Sequence, residues 1–542
     1  MEKRTLLAII LSILVLVAFS YLSPQRKPVQ RQIEPQEEGK QIADSTLREK
    51  IKEEKLPPYE AIPATVPSIP LEEKEIKVET NLYSAVFTTR GGTIKKWGLK
   101  KYTDNKKRPV SLISPDAAIP PISIILGDQL RDLPSKVNYS VDRDSIILDS
   151  TTDRDTLTFS YADTSGLSIK KIFTFNRDNY GVNLSIDIEG VQSYYVVLGS
   201  EFGVFDEKGA WVHIGPVLLK DTDKIDIKIG NIEGINFFQR FAGRKSKSEM
   251  IYQGNIHWIA QEDKYFAAAL ASMSKPNDVK VWERGKSGNS KNQGVEIAYN
   301  VNGERGEFLL YAGPKQYELL KPFGVGLEHI IDFGFFSIIA RPLFWLLKLF
   351  YKVIGNYGWA IVLLTIIVRI PFIPLLNKSQ KSMKKLQEIQ PHMAAIREKH
   401  KKDPQKMQKE MMELYKKHKV NPMGGCLPML TQLPVFLALY KILLIAIELR
   451  GAPFVWWIAD LSVKDPYYVF PVLMGVTMVI QQKITPTAMD PKQAKIMMLM
   501  PIFFTFLFLS FPVGLVLYWL VNNTLGIIQQ YFINKKAKSS AA

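Results

Sequence analysis

A single cysteine, Cys426, stands in a chain of 542 residues. No intramolecular disulfide can form, and no multi-cysteine zinc or iron–sulfur site can be built. Histidine is also scarce: six residues, scattered, with no H-E-x-x-H and no close pair. There is no P-loop and no G-x-S-x-G elbow. No catalytic set is in view, and no cofactor or metal is expected. What the chain has in excess is positive charge, a formal +17. Such a balance suits nucleic acid, anionic lipid or acidic partners. The overall content, 46% hydrophobic and 23% charged, looks globular. That average hides a segregation: apolar runs gather at the N-terminus and after about residue 330, and the middle is polar and strand-like. At this length two or more units are expected.

Lys3 and Arg4 precede an apolar run over 6–22, whose 17 residues are at the short end for a spanning helix. Ala18-Phe19-Ser20 offers a weak A-x-A-like cleavage site, so a signal peptide is the rival reading. We expect an uncleaved anchor over 1–23 with a cytoplasmic N-terminus. Residues 24–75 are rich in Pro, Glu, Lys and Gln. Such a composition buries too little apolar surface to fold, and it reads as a tether.

Residues 76–330 read as an all-β domain. Short β-branched or aromatic runs occur at 76–80, 83–88, 94–99, 168–175, 181–188, 194–198, 257–260, 265–271 and 307–312. Gly91-Gly92 supplies a turn between the second and third. Many short strands at this spacing favour a sandwich. The segment 331–355 is apolar on one side and carries Arg341, Lys348 and Lys352. It fits a helix lying in the membrane interface, with a true span as the alternative.

Five spans are expected over 357–376, 427–447, 467–481, 496–510 and 513–533, within a core of 356–534. The last two are split by Phe511-Pro512-Val513-Gly514. Residues 377–420 hold 13 Lys/Arg against 5 Asp/Glu, which marks a cytoplasmic connection. Lys483, Lys492, Lys495 and the basic tail 535–542 fall on the same side. Both termini are then cytoplasmic and the β domain periplasmic. The expected class is a multi-domain membrane protein. It has an α-helical polytopic core of five spans plus an N-terminal anchor span, and a periplasmic all-β sandwich domain.

Arg369 is the sharpest functional signal. It lies in an apolar run, seven residues before the inner end of its span, or roughly 10 Å deep. Such a placement costs about 2.5–3.5 kcal/mol near a span centre. One reading is snorkelling to the interface; the other is a hydrated cavity holding a fixed positive charge. Thr365 sits one turn away on the same face. Tyr518, Asn522 and Gln529 share one side of the last span, and Gln432 stands early in its own. Inter-helix hydrogen bonds would account for any one of these; together with an Arg they point to a wet groove. The cytoplasmic segment 378–420 reads as two helices parted by Asp403-Pro404. Met383 and Met393 mark the first, Met407 and Met411 the second. Methionine faces adapt to varied apolar partners, or they simply pack on each other. The basic excess here offers contact to ribosomal RNA or anionic lipid.

Two stretches of the core then carry a resemblance. They are Asn421-Pro422-Met423-Gly424-Gly425-Cys426-Leu427-Pro428 with Gln432-Leu433-Pro434-Val435-Phe436, and Asp465-Pro466-Tyr467-Tyr468 with Phe511-Pro512-Val513-Gly514-Leu515. They resemble the hallmark of the YidC insertase family, and Thr89-Arg90-Gly91-Gly92 resembles its long form in double-membrane bacteria. The resemblance implies an inner-membrane insertase and chaperone for newly made membrane proteins, working alone or with the Sec translocon and its accessory subunits, and no enzyme. It implies a positively charged groove open to cytoplasm and lipid. Arg369 would be the groove charge, and Thr365, Gln432, Tyr518 and Asn522 its lining. The third and fifth spans would form an apolar slide. The cytoplasmic methionine face would receive clients. Lys441 departs from the apolar or aromatic residue expected in the third span. A small-anion transporter or channel, with Arg369 as binding charge, is the rival from another class. A membrane-anchored glycan-processing enzyme is a third reading.

Overall fold

Alternation of burial organises the first half of the molecule. In the strand Gly181–Glu189, Val182, Leu184, Ile186 and Ile188 are buried while Asn183 is exposed. A period of two sets one face of a sheet on a core. The structure, a computed structural model, describes residues 72–539 apart from 105, 115–116, 118, 128–132, 201, 205–211, 228–248, 274–277, 284–294, 401–402, 419–426 and 485–490. The expected anchor, nearly all of the expected tether, the end of the basic tail and residues 421–426 of the hallmark lie outside the described residues.

Among the described residues one antiparallel sheet has nine strands. Its order is Asp223–Asp226, Gly215–Lys220, Ile256–Glu262, Phe266–Ser272, Arg305–Pro314, Gly181–Glu189, Ser168–Asn176, Arg154–Ala162 and Ser140–Val141. Two five-stranded sheets form the facing layer. One runs Pro109–Ser111, Thr93–Thr103, Tyr83–Thr88, Glu75–Glu79 and Ser145–Ile147. The other runs Glu249–Tyr252, Val279–Glu283, Val295–Asn302, Ser193–Val197 and Ser123–Leu126. Aromatics join the layers. The Phe87 ring lies 5.0 Å from Phe173 and 5.6 Å from Phe175. Trp97 Nε1 donates to the Ala312 carbonyl at 3.1 Å, giving a buried indole its partner. The expected sandwich is present, and Gly91-Gly92 turns with φ of 69° and 54°. Arg154–Ala162 is a strand that the sequence reading passes over, because only Leu157 and Phe159 are buried apolar residues in it.

The helices follow. Helix α1, Ser337–Ile354, buries Ala340, Phe344 and Leu347 along one stripe. It leaves Ile338, Trp345 and Val353 exposed. Gly355 ends it with φ of 73°, and Asn356 opens α2, Tyr357–Arg369, by accepting from Trp359 N. This cap pair reverses the chain. A 3₁₀ turn, Ile370–Phe372, leads into α3, Ile373–Glu388. The cytoplasmic pair expected from sequence contains the end of α3, α4 (Gln390–Lys399) and α5 (Pro404–Lys417), which Asp403 caps by accepting from Lys406 N. Then come α6 (Leu427–Ile445), α7 (Val469–Ile484), α8 (Pro491–Phe508) and α9 (Val513–Ser539). Among the described residues, Gly334–Ile354 and Tyr357–Glu388 are long and apolar enough to cross a membrane.

Asp465 shows why one hallmark motif is there. Its side chain is buried and accepts from Tyr467 N at 3.0 Å, Phe470 N at 2.8 Å and Trp457 Nε1 at 3.0 Å. The carboxylate thereby satisfies orphan donors where α7 begins. The sandwich and the helices meet at the turn after α6. Ile447 is buried in the sandwich's own core. Arg450 donates to the Thr103 carbonyl at 2.9 Å and stacks 5.0 Å from the Phe266 ring. Lys348 of α1 pairs with Glu318.

One charge cluster sits inside the sandwich. Glu262, buried at 1% exposure, accepts from Lys224 at 2.6 Å and Lys315 at 2.9 Å. Burial pushes its carboxyl up, but the two ammonium groups outweigh that and hold it below the usual carboxylate range. A lowered folded value means a contribution fully present above the unfolded value, lost as pH falls through the folded one. Glu262→Gln should therefore destabilise the sandwich by about 3–5 kcal/mol at neutral pH, the cost of breaking a buried pair. The deficit should shrink below about pH 4, where the wild type also loses its pair. Hydrogen exchange of Phe266–Ser272 against pH measures this; a pH-independent deficit would show that the charge is not the cause.

Candidate functional site

Arg369 is the last residue of α2, where Pro371 ends regular α-helix. A cation at a helix C-terminus meets the negative end of the macrodipole. The side chain is half-buried and turns to α9. Nη1 donates to the Asn522 carbonyl at 3.0 Å and to Asn522 Oδ1 at 2.7 Å. Nη2 donates to Gln529 Oε1 at 3.3 Å. Gln432 of α6 donates to the same Asn522 Oδ1 at 2.9 Å, and Tyr518 stands beside Gln432. Gln529 in turn donates to Asn377 of α3 at 2.8 Å. One guanidinium thus gathers amides from α3, α6 and α9.

Every acceptor named here is neutral. Among the described residues no carboxylate pairs with Arg369. Three of its five N–H donors are taken by neutral oxygens, which leave its charge uncancelled. Room for it comes from Gly526, which falls between Asn522 and Gln529 on the same helix face. A Cβ there would stand 2.8 Å from Gln481 Nε2 and 3.3 Å from Arg369 Nη2.

The residues expected from sequence divide. Arg369, Gln432, Tyr518 and Asn522 come together, with Gln529. Thr365 is buried, and its hydroxyl donates back to the Ile361 carbonyl at 2.7 Å; it makes no hydrogen bond into the Arg369 cluster. Asn377 escaped sequence reading because Pro371 and Pro374 interrupt the helical period that would have linked it to Arg369. Asn523 points the other way, donating to Thr477 of α7 at 3.4 Å, an ordinary inter-helix bond. The methionines are largely closed on themselves. Met393 is buried with Leu386 and Ile389, and Met383 and Met411 pack against that cluster. Met407 is half-buried, while Met412, not singled out by sequence, is exposed. Lys441 is half-buried on α6.

Outside this cluster, ligand atoms of His213, Asp226 and Glu262 lie within 4.8 Å of one another. Both Glu262 oxygens are already taken by lysines, so the group reads as a salt-bridge cluster rather than a metal centre.

Fold and site together define a class: an apolar helical core that holds a satisfied but uncompensated cation, joined to a β-sandwich. The model of the 60Kd inner membrane protein family matches residues 349–540, and that of the YidC periplasmic domain matches residues 75–346. A protein of Geotalea daltonii named membrane protein insertase YidC is 40% identical, over 99% of both chains. One of the same name from Syntrophus aciditrophicus is 38% identical, over 99% of this chain and 100% of its own. Another, from Geobacter metallireducens, is 38% identical over the whole of both. The chain belongs to the YidC membrane protein insertase family, and its sandwich is the family's periplasmic domain.

The close approach at Gly526 is testable. Gly526→Leu should overpack the contact and cost about 1–3 kcal/mol. Gly526→Ala should cost less, because helix propensity returns up to about 1 kcal/mol. Thermal unfolding in detergent would rank the two; equal stability of Leu and wild type would mean that the helices are not held this closely.

Proposed function

We propose that this protein inserts other membrane proteins by lending them a charged polar groove around Arg369. The observation that carries the reading is that, among the described residues, no carboxylate pairs with Arg369. A cation held by neutral amides keeps its field and attracts acidic groups from outside the cluster. A client's short polar flank enters this groove from the cytoplasmic side, and its apolar segment runs along α6 and α8. On α8, Leu499, Ile502, Phe503 and Phe506 are all exposed, and their spacing makes one helical stripe. The groove shortens the apolar barrier that the flank must cross. Client burial in lipid then drives release, at roughly 25 cal/mol per Å² of apolar surface. No step calls for a nucleotide.

In this reading the core has five spans, an N-terminal anchor adds a sixth, and both termini are cytoplasmic. The helices α3 to α5 lie in the cytoplasm, on the strength of their basic excess. Met407 and Met412 are the methionines left to meet a client there. The Sec translocon and the ribosome are partners in the same reading, as sources of clients.

The test uses purified protein in liposomes and a small single-span client with an acidic translocated tail, scored by protease protection. Arg369→Ala should lower protection roughly tenfold, equivalent to about 1.4 kcal/mol. Arg369→Lys should retain most of it. Asn522→Asp should mimic Arg369→Ala, because it supplies the missing counter-charge while leaving the side-chain shape. Equal effects on acidic and neutral tails would sink the charge-attraction mechanism. No protection above empty liposomes would send the protein to solute-flux assays and the anion-transport alternative.

A further inference from the structure

The turn Thr89-Arg90-Gly91-Gly92 plays no part in the groove, yet the sandwich is built tightly around it. Gly91 has φ of 69°, and a Cβ there would stand 2.9 Å from the Ser135 backbone. Beneath the turn lies Lys171, wholly buried. Its Nζ donates to the carbonyls of Gly91 at 2.7 Å, Gly92 at 3.2 Å and Ile122 at 2.7 Å. No carboxylate pairs with it among the described residues, and its Nζ lies 5.6 Å from the centre of the Tyr139 ring. Burial pushes the ammonium down, to about 7. Three carbonyl acceptors pull the other way, because only the charged form has three N–H donors to match them. A buried lysine with no acid is costly and needs a reason. What it does is tie the 89–92 turn of one five-stranded sheet to the loop that opens Ser123–Leu126, the edge strand of the other.

Between those two sheets lies an open cleft of about 590 Å³. Its floor is apolar: Pro120 is exposed there, and Ile113, Ile119, Ile125 and Pro121 lie beneath with little surface of their own. Arg90, Lys95, Lys96 and Lys136 also line it, against one carboxylate, Glu73. Lys95 is engaged by Glu75, and Glu73 accepts from Thr88. Edge strands flank it on both sides, Pro109–Ser111 and Ser123–Leu126. Strand edges and an apolar floor suit an extended chain, and the cationic lining selects acidic side chains. A compact phosphate would have no use for the floor.

We propose that this cleft binds extended acidic peptide, with Arg90 and Lys96 as specificity residues and Lys171 as the positioning residue that holds its walls. The occupant is the acidic tail of a client after it has crossed, an assignment that rests on the insertion reading. Such a site would hold a translocated tail and oppose its return.

The test is binding by full-length protein in detergent of a fluorescent unstructured peptide that alternates Glu or Asp with Leu or Val. A second peptide carries Gln and Asn in place of the acids. The double variant Arg90→Glu with Lys96→Glu should weaken the acidic peptide by at least about tenfold and the neutral one little. Binding should fall with salt. Arg154→Glu, an exposed reversal on the nine-stranded sheet outside the cleft, should leave it unchanged. Arg369→Ala should also leave it unchanged, which separates this site from the groove. Equal binding of both peptides, or no effect of the double reversal, would overturn the proposal. So would binding of anionic-lipid vesicles through Arg90 and Lys96 with no peptide binding, which would mark a headgroup site. If insertion fails while peptide binding holds, the groove mechanism falls and the cleft stands.

Discussion

A cation inside an apolar helix bundle must be satisfied by hydrogen bonds, and the helical core is arranged around that requirement at Arg369. The guanidinium offers its donors in a fixed fork. Asn522 and Gln529 must therefore share one face of α9, and Gly526 between them must have no side chain. Asn522 has a second lone pair, which Gln432 uses to bring α6 to the same point. Gln529 has an amide N–H left over, which Asn377 accepts from α3. Remove the arginine and Asn522 and Gln529 each lose a donor, a cost of about 1–3 kcal/mol for each group left unsatisfied. The cluster is thus a joint between helices as well as a charge.

The helix α6 serves two cores at once. Gln432 near its start faces the cluster, and Ile447 just past its end is buried in the sandwich. A helix of 19 residues is roughly 28 Å long and stiff. Arg450 fixes the far end through a backbone carbonyl and the Phe266 ring, so the sandwich is seated on the helix that brings Gln432 to the Arg369 cluster. Displacing the sandwich would have to tilt α6 or break that seat. The family's periplasmic domain and its membrane core are coupled here by packing and not merely by chain connection.

Much of this was legible in the sequence, for reasons that differ by residue. Arg369 stood out because charge in an apolar run is expensive. Asn522 and Gln529 followed from the helical period. The strands Tyr83–Thr88 and Gly181–Glu189 followed from runs rich in β-branched and aromatic residues. Thr365 obeyed the same periodic rule as the amides and yet stays outside the cluster, because a threonine hydroxyl can satisfy itself on its own helix. The methionines told of adaptable surfaces but not of what covers them; Met393 and Met411 turn out to cover each other's neighbourhood. Asn377 lies past two prolines, where periodicity stops being a guide. Glu262 and Lys171 were beyond reach, since burial of a charge depends on strands distant in sequence.

Those last two residues show how to sort buried charges. Glu262 is neutralised by Lys224 and Lys315, and at the surface Glu318 pairs with Lys348. Their fields close on themselves, and their effect is on stability and seating. The hydrogen bonds of Arg369 and Lys171 go to oxygens that carry no net charge, so the electrostatic demand remains open. A protein that needed only stability could have met each with a carboxylate, or replaced it by an apolar side chain at little loss. Keeping a cation satisfied yet unneutralised makes physical sense where something outside the fold is to complete the balance. Arg369 lies in the proposed groove and Lys171 beneath the wall of a cationic cleft. On this argument both ends of the molecule are prepared for negative charge carried by another chain.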